Sequence, residues 1–348
     1  MKKYQLWEIR DNGNNAGTKA PEDVRKVAAK FGFKQVNVIR KGEEKDVISR
    51  VYRQITFFNS WQKIYKEIES DSLLLLQVPF HDHEFSRTSV LRKLKSKKNV
   101  KIIYMVHDVE ELRKINDNKF YQTEFNLMLE FADQIIVHNN VMIKFFIEKG
   151  VSTGKLINLE IFDYLDENKI ELPNYSKEIF IAGNLDVKKV KYLSYLNKID
   201  DVHFTLYGSN FSLTEYKNIK YKGSVKPEQL PHLLNRGFGL IWDGDSISTC
   251  SGVFGQYLKY NNPHKLSLYL ASGIPVIIWN QAAEANFVKE KNVGIVISSL
   301  YDLPAVLNSV SEEKYLELAN NVKKEAKKLR KGFYTEKALK KAINKINP

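Results

Sequence analysis

Four polar clusters carry side chains able to hold a proton, an anion or a metal. Asp11-Asn12-Gly13-Asn14-Asn15-Ala16-Gly17-Thr18-Lys19 sets glycines beside a hydroxyl and a cation. Pro79-Phe80-His81-Asp82-His83-Glu84 and His107-Asp108-Val109-Glu110 mix imidazoles with carboxylates, and Asp243-Gly244-Asp245 brackets a glycine with two carboxylates. Each has a plainer alternative. Three residues separate Gly13 from Gly17 and Thr18 precedes Lys19, so the loop misses both the Walker and the Rossmann spacing; the alternative is a turn that shapes an acceptor site. His81, Asp82 and His83 are metal-ligand types, but adjacent loop residues rarely converge on one ion. His107-Asp108 suits acid/base work, because a carboxylate raises the basicity of a nearby imidazole; a hydrogen-bonded structural histidine is the other reading. Asp243-Gly244-Asp245 has the DxD spacing that holds a divalent metal on a sugar diphosphate, or is a turn rich in Asp and Gly.

The most informative run is Tyr260-Asn261-Asn262-Pro263-His264-Lys265-Leu266-Ser267-Leu268-Tyr269-Leu270-Ala271-Ser272-Gly273-Ile274-Pro275-Val276-Ile277. Pro263 suits the first turn of a helix. Leu266, Tyr269 and Leu270 then form its buried stripe, and Gly273 ends it before the next strand. Lys265 falls in the first turn, where unpaired backbone amides and a cation together suit a diphosphate. A surface helix with an ordinary lysine is the alternative.

These residues need elements to hold them. Short β-rich apolar runs recur, each followed by a polar or glycine cluster and a helix-period segment, which predicts βα units around parallel sheets. Strands are expected at residues 4–9, 35–39, 72–78, 101–106, 134–138 and 156–161, then at 178–182, 203–207, 219–222, 239–242, 275–278 and 294–296. Helices are expected at 20–31 and 124–131 and, near the end, at 312–330 and 335–346. Two α/β domains follow, joined by an acidic, Pro- and Asn-bearing linker near residues 165–176. In such sheets ligands bind beyond the carboxyl ends of the strands, where all four clusters fall.

Bulk properties narrow the partners. The 348 residues are enough for two ordinary domains with substantial cores. The 54 Lys and Arg exceed the 41 Asp and Glu, giving a formal charge of +13 that favours polyanionic partners, be they nucleic acid, anionic lipid or nucleotide. No nucleic-acid-binding motif accompanies that charge. Cys250 is the only cysteine, so an intrachain disulfide, Cys-based zinc sites and CxxC chemistry are excluded and a cytoplasmic location fits. No apolar run approaches the roughly 20 residues that span a bilayer, so membrane contact is expected to be peripheral. Lysines and arginines at 87–98 and along the final helices are the expected contact with an anionic inner leaflet, against the alternative of solvated helix faces.

The run NNPHKLSLYLASGIPVIIW, the AGN of residues 182–184, Tyr221-x-Gly223 with Pro227-Glu228-Gln229-Leu230 after it, and HDVEELR at 107–113 resemble bacterial β-1,6-galactofuranosyltransferase-like enzymes. The glucosyltransferases that extend O-linked GlcNAc on serine-rich adhesins share the pattern. The resemblance runs from Ala16-Gly17-Thr18-Lys19-Ala20 to the LRKGFYTEKAL of residues 329–339. It implies a GT-B fold: two Rossmann-like domains facing a central cleft, residues 1–165 binding acceptor and 176–333 binding nucleotide sugar, with the C-terminal helix, 334–348, returning to the first. It further implies a metal-independent, inverting hexosyltransferase that needs no cofactor. The implied partners are a UDP-sugar donor, with galactofuranose ahead of glucose and N-acetylglucosamine, and a glycan, lipid-linked glycan or glycoprotein acceptor. A homo-oligomer is compatible with it. Donor-site positions implied by the match are Asn184, Lys189, Tyr221, Asn262 and Lys265, with Thr18 closing from the first domain. Glu284 is a ribose candidate, although Ala282-Ala283-Glu284-Ala285-Asn286-Phe287 departs from the usual carboxylate spacing. For the catalytic base the expectation is Asp108, with His107 and His81 as rivals.

Overall fold

The computed structural model describes residues 1–10, 19–42, 46–114, 119–214 and 216–347. The chain divides into two compact units. Unit 1 comprises residues 1–138, 143–159 and 335–348, and unit 2 comprises 139–142 and 160–334.

In chain order unit 1 carries β1 (Lys3–Arg10), α1 (Lys19–Lys30), β2 (Phe33–Arg40), α2 (Val47–Glu67), β3 (Leu73–Val78), α3 (Phe85–Lys98), β4 (Lys101–Val106), α4 (Glu110–Arg113), α5 (Lys119–Phe131), β5 (Gln134–Val137), most of α6 (Asn140–Glu148) and β6 (Leu156–Asn158). Its six-stranded sheet has the order β2-β1-β3-β4-β5-β6, and every pairing is parallel. Leu73, Leu74, Leu75 and Leu76 are all buried, as a strand covered by helices on both faces requires. Asp46 caps α2 by accepting the amide of Ser49.

Unit 2 carries β7 (Asn174–Ala182), β8 (Phe204–Tyr207), β9 (Ile219–Tyr221), α7 (Leu230–Leu233), β10 (Arg236–Ile241), α8 (Gly252–Tyr257), α9 (His264–Ser272), β11 (Val276–Trp279), α10 (Ala285–Lys291), β12 (Gly294–Ile297), α11 (Leu303–Ser309) and α12 (Glu312–Leu329). Its parallel sheet runs β12-β11-β10-β7-β8-β9. The last helix, α13 (Phe333–Ile346), belongs to unit 1 from Thr335 onward. There Ala338, Leu339 and Ala342 are buried, and Lys345 donates to the Gly154 carbonyl at 2.8 Å.

Some boundaries differ from the sequence expectation. The strand expected to reach residue 161 stops at Asn158, and Glu160 turns the chain with a left-handed φ of 75°. β7 begins inside the expected linker, because the Asn174 amide already pairs with the Asn235 carbonyl. Asp166, also in that stretch, is tied into unit 2 by a buried ion pair with Arg330. Pro263 caps α9 with an extended ψ of 123° instead of lying in its first turn.

Candidate active site

In unit 2 Asn184 and Lys189 follow β7, Tyr221 ends β9, and Lys265 reaches the residues just after β10. Gly183 follows β7 with φ 131°, and a Cβ there would meet nothing within 4 Å, so its backbone stands open. A Cβ on Gly208, after β8, would lie 1.7 Å from the Gly183 carbonyl, so only glycine lets these two loops touch. Asn184 is exposed, and its Oδ1 accepts from the Asp186 amide and from Asn210 Nδ2, both at 3.0 Å. Lys189 Nζ lies 5.7 Å from the ring centre of Phe254. Tyr221 donates to the Gly208 carbonyl at 2.8 Å and stacks on Phe211 at 4.5 Å.

Lys265 sits in the first turn of α9. Its ammonium donates to the Trp242 carbonyl at 3.0 Å and to Asp243 at 2.8 Å. Asp243, half of the DxD pattern, is therefore the counter-ion of Lys265. Asp245 lies instead against Gly252, where a Cβ would come within 2.0 Å of its carboxylate. Among the described residues no three His, Cys, Asp or Glu side chains gather as a ligand set for a metal. α9 is held rigidly. Tyr269 accepts the Ala182 amide at 2.7 Å and donates to the Phe180 carbonyl at 3.2 Å, while its ring lies where a Cβ on Gly239 would be. That lock fixes α9 against the residues immediately before Gly183.

A further cluster surrounds Glu284, which is 2% exposed at the start of α10. Asn139 reaches it from a distant stretch of chain. The Asn139 Nδ2 donates to the Tyr260 carbonyl at 3.0 Å, to Asn262 Oδ1 at 2.8 Å and to Glu284 Oε1 at 3.3 Å. Its own Oδ1 accepts the Val141 and Met142 amides, so it caps α6 as well. Asn262 donates to the Glu160 carbonyl at 3.1 Å. Glu284 Oε2 is buried without a hydrogen-bond partner. Burial holds the Glu284 carboxyl well above the ordinary carboxylate range; the Asn139 hydrogen bond opposes that shift and the charge of Glu160 adds to it. A buried carboxyl with one unpartnered oxygen keeps hydrogen-bonding capacity for a ligand hydroxyl. Sequence reasoning missed Asn139, since nothing local relates it to residues 121 to 145 positions away. His264, passed over as well, stacks on Tyr164 at 5.2 Å.

The expected catalytic residues lie on unit 1, beyond the carboxyl ends of the adjacent strands β3 and β4. The His107 amide donates to the Val78 carbonyl, joining the two strand ends, and its ring Nε2 lies 2.6 Å from Gln77 Oε1. Asp108 is half-buried and accepts from Arg113 at 3.3 Å, while Arg113 also donates to Glu110 at 2.9 Å. Exposed His81 pairs its Nδ1 with the Tyr121 hydroxyl at 3.1 Å. Tyr121 and Asp108 line one small cavity with Val78 and Val106. Asp82, between the two histidines, is held by Arg40 at 2.8 Å. Thr18 lies outside the described residues. Its neighbour Lys19 is buried and donates to both oxygens of Asp23 at 2.5 Å, so this cation is neutralised within α1.

The two halves of the chain match two models of one family. Residues 3–161 match the N-terminal domain, and residues 179–342 the C-terminal domain, of the glucosyltransferase 3-like proteins. The chain is 30% identical to the β-1,6-galactofuranosyltransferase WbbI of Escherichia coli, over 99% of each chain. The chain belongs to the glucosyltransferase 3-like family. Glucosyltransferase 3 of Streptococcus gordonii is 23% identical over 96% of each chain. Among solved structures, sucrose-phosphate synthase from Thermosynechococcus elongatus aligns with a TM-score of 0.64 at 11% identity, over 99% of each chain. Anabaena HepE in complex with UDP and glucose aligns at 0.61 and 12%, covering 98% of this chain and 99% of that one. The fold is thus the two-domain α/β GT-B fold, and this family member is a glycosyltransferase. The Lys265 helix and Glu284 lie within the C-terminal family domain, and His81, His107 and Asp108 within the N-terminal one.

Proposed function

We propose that the chain transfers a hexosyl group from a UDP-sugar to a hydroxyl of a glycan, lipid-linked glycan or glycoprotein, with inversion and without a metal. Galactofuranose is the first donor expected, in line with the 30%-identical relative, and glucose or N-acetylglucosamine the alternative. The observation that carries the reading is Lys265 in the first turn of α9. Two of its three N–H donors are used by Trp242 and Asp243, leaving one for a phosphate oxygen beside the first amides of the helix.

Breaking the bond between the anomeric carbon and the diphosphate builds positive charge on the sugar and negative charge on the leaving group. The bonding pair departs with UDP, whose new charge Lys265 and the helix amides neutralise. Lys189, in the segment after β7, is the further cation assigned to the diphosphate in this reading. Glu284 offers its open oxygen to a ribose hydroxyl, Asn184 a polar contact beside the open Gly183 backbone, and the Tyr221–Phe211 stack an aromatic surface for the base. With Asp243 engaged by Lys265, a cation already stands where a DxD site would hold a metal. The acceptor oxygen attacks the opposite face of the sugar as Asp108 takes its proton, with His107 and His81 as rival bases. A cytoplasmic location suits a nucleotide-sugar donor.

The test is UDP release and product formation by the purified protein, given UDP-galactofuranose, UDP-glucose or UDP-N-acetylglucosamine with and without EDTA. Turnover of one donor that EDTA leaves unchanged is expected. Lys265→Ala should lower it about 100-fold or more, with an unaltered circular dichroism spectrum. Full activity of that variant would remove the phosphate assignment, and activity restored only by manganese would return the metal to Asp243-Gly244-Asp245.

A further inference from the structure

β3 reads Leu73-Leu74-Leu75-Leu76-Gln77-Val78, and Gln77 is its only polar side chain. β3 lies between β1 and β4 in the sheet of unit 1, where an amide costs free energy unless both its ends are bonded. Gln77 has a partner at each end. Its Nε2 donates to the Pro21 carbonyl in α1 at 3.1 Å, and its Oε1 lies 2.6 Å from Nε2 of His107. α1 begins at Lys19, directly after the glycine loop expected to close on the donor. Gln77 thus stands between the root of that loop and the expected acceptor edge.

These two contacts fix where the protons are. The Pro21 carbonyl can only accept, so the amide nitrogen of Gln77 must face it. Oε1 is then the atom turned to His107. A carbonyl oxygen also only accepts, so Nε2 must be the protonated nitrogen of the ring. In the neutral ring Nδ1 therefore carries the lone pair. The backbone of His107 is held as well. Its amide donates to the Val78 carbonyl at 2.8 Å, and the buried ring of His138 is hydrogen-bonded to the backbone of Val106 and His107.

We propose that Gln77 is a positioning residue, which locks His107 in the Nε2–H tautomer and so offers Nδ1 to a substrate hydroxyl as a hydrogen-bond acceptor. That nitrogen serves in either role open to His107. As the base, Nδ1 takes the proton of the attacking hydroxyl while the pair on that oxygen joins the anomeric carbon and the sugar–phosphate pair leaves with UDP. Gln77 Oε1 then faces the new imidazolium, as an acceptor should. With Asp108 as the base, Nδ1 accepts a hydrogen bond from a neighbouring sugar hydroxyl and orients it. The opposite tautomer would turn an N–H to the hydroxyl and could do neither. The effect on turnover rests on the function proposed above; the tautomer does not.

Long-range proton–nitrogen correlation NMR of protein labelled with heavy nitrogen in its histidines, with His107 assigned by its absence from His107→Asn, reads the tautomer without substrate. Native His107 should show a protonated Nε2, and Gln77→Leu should lose that preference. Given donor and acceptor, Gln77→Leu should have a kcat lower by about tenfold or more, with KM for the donor, UDP affinity and circular dichroism spectrum unchanged. Gln77→Glu keeps an oxygen toward Nε2 and adds a charge that favours the imidazolium, so the acidic limb of its kcat profile should move to higher pH by about one pH unit. A mere tie between β3 and α1 would not move that limb. Native His107 protonated at Nδ1, native turnover by Gln77→Leu, or an unmoved limb in Gln77→Glu overturns the proposal. Absence of UDP binding and turnover in the native chain would instead overturn the transferase reading, and the tautomer is read in either case.

Discussion

Glu284 combines burial, one hydrogen bond from Asn139 and an unpartnered oxygen, and its carboxyl is accordingly held in the neutral form to higher pH than an ordinary glutamate. The sign of the consequence is fixed. An unfolded glutamate loses its proton near its usual value of 4.5, whereas the folded one keeps it, so stability falls as pH rises from there toward the folded value. Glu284→Gln cannot ionise and escapes that loss. Its melting temperature relative to the native chain should therefore climb as pH rises above about 4.5 and level off below about pH 4, by scanning fluorimetry across buffers. A difference independent of pH would mean that the carboxyl titrates like an exposed one. On the proposed ribose contact, the same variant should bind UDP more weakly. His138 titrates in the opposite sense: burial pushes it down to about 4, so it costs stability only as pH falls below about 6.5.

The lock between α9 and the β7–β10 pair sits one scale up. Tyr269 spans it, bonded to the Ala182 amide and the Phe180 carbonyl, with Gly239 leaving room for its ring. Tyr269→Phe strands a buried amide immediately before Gly183 and should cost about 1–3 kcal/mol in urea unfolding of unit 2. Gly239→Ala should cost more, about 3 kcal/mol or above, because its methyl would meet carbons of the fully buried Tyr269 ring at 2.1 to 2.6 Å. If Gly239→Ala unfolds with the native midpoint, the tyrosine is not clamped as described. Much of this element was legible in the sequence: Lys265 in the first turn, the buried Leu266-Tyr269-Leu270 stripe and Gly273 at its left-handed end all follow from local spacing. The room made by Gly239 was not, because it is a relation between two elements.

At the scale of the molecule, the last helix ties the chain end back to unit 1, burying Leu339 with Ala338 and Ala342. Ending the chain at Tyr334 uncovers that surface, and Leu339 alone is worth about 2–3 kcal/mol of burial. Limited proteolysis of the truncated chain should digest unit 1 first while a fragment covering residues 160–334 survives. Equal resistance of both units would show that the helix adds little. The distribution of cations belongs to this scale as well. The surplus of 13 positive charges comes from the sequence, but which lysines face outward depends on which carboxylates the fold brings to them.

The sequence by itself determined the parallel α/β pattern, nearly every strand, the helix that carries Lys265 and the family, because hydrophobic period, turn residues and short motifs are local properties of a chain. Tertiary structure alone decided that Asp243 is the partner of Lys265, that Asn139 reaches Glu284 and that Arg87 lies inside, paired with Glu124, instead of in the outward patch expected at 87–98. It also decided that Gln77 stands between Pro21 and His107. Pairings across 22 to 145 residues arise from the packing of whole elements, and composition or spacing holds no record of them.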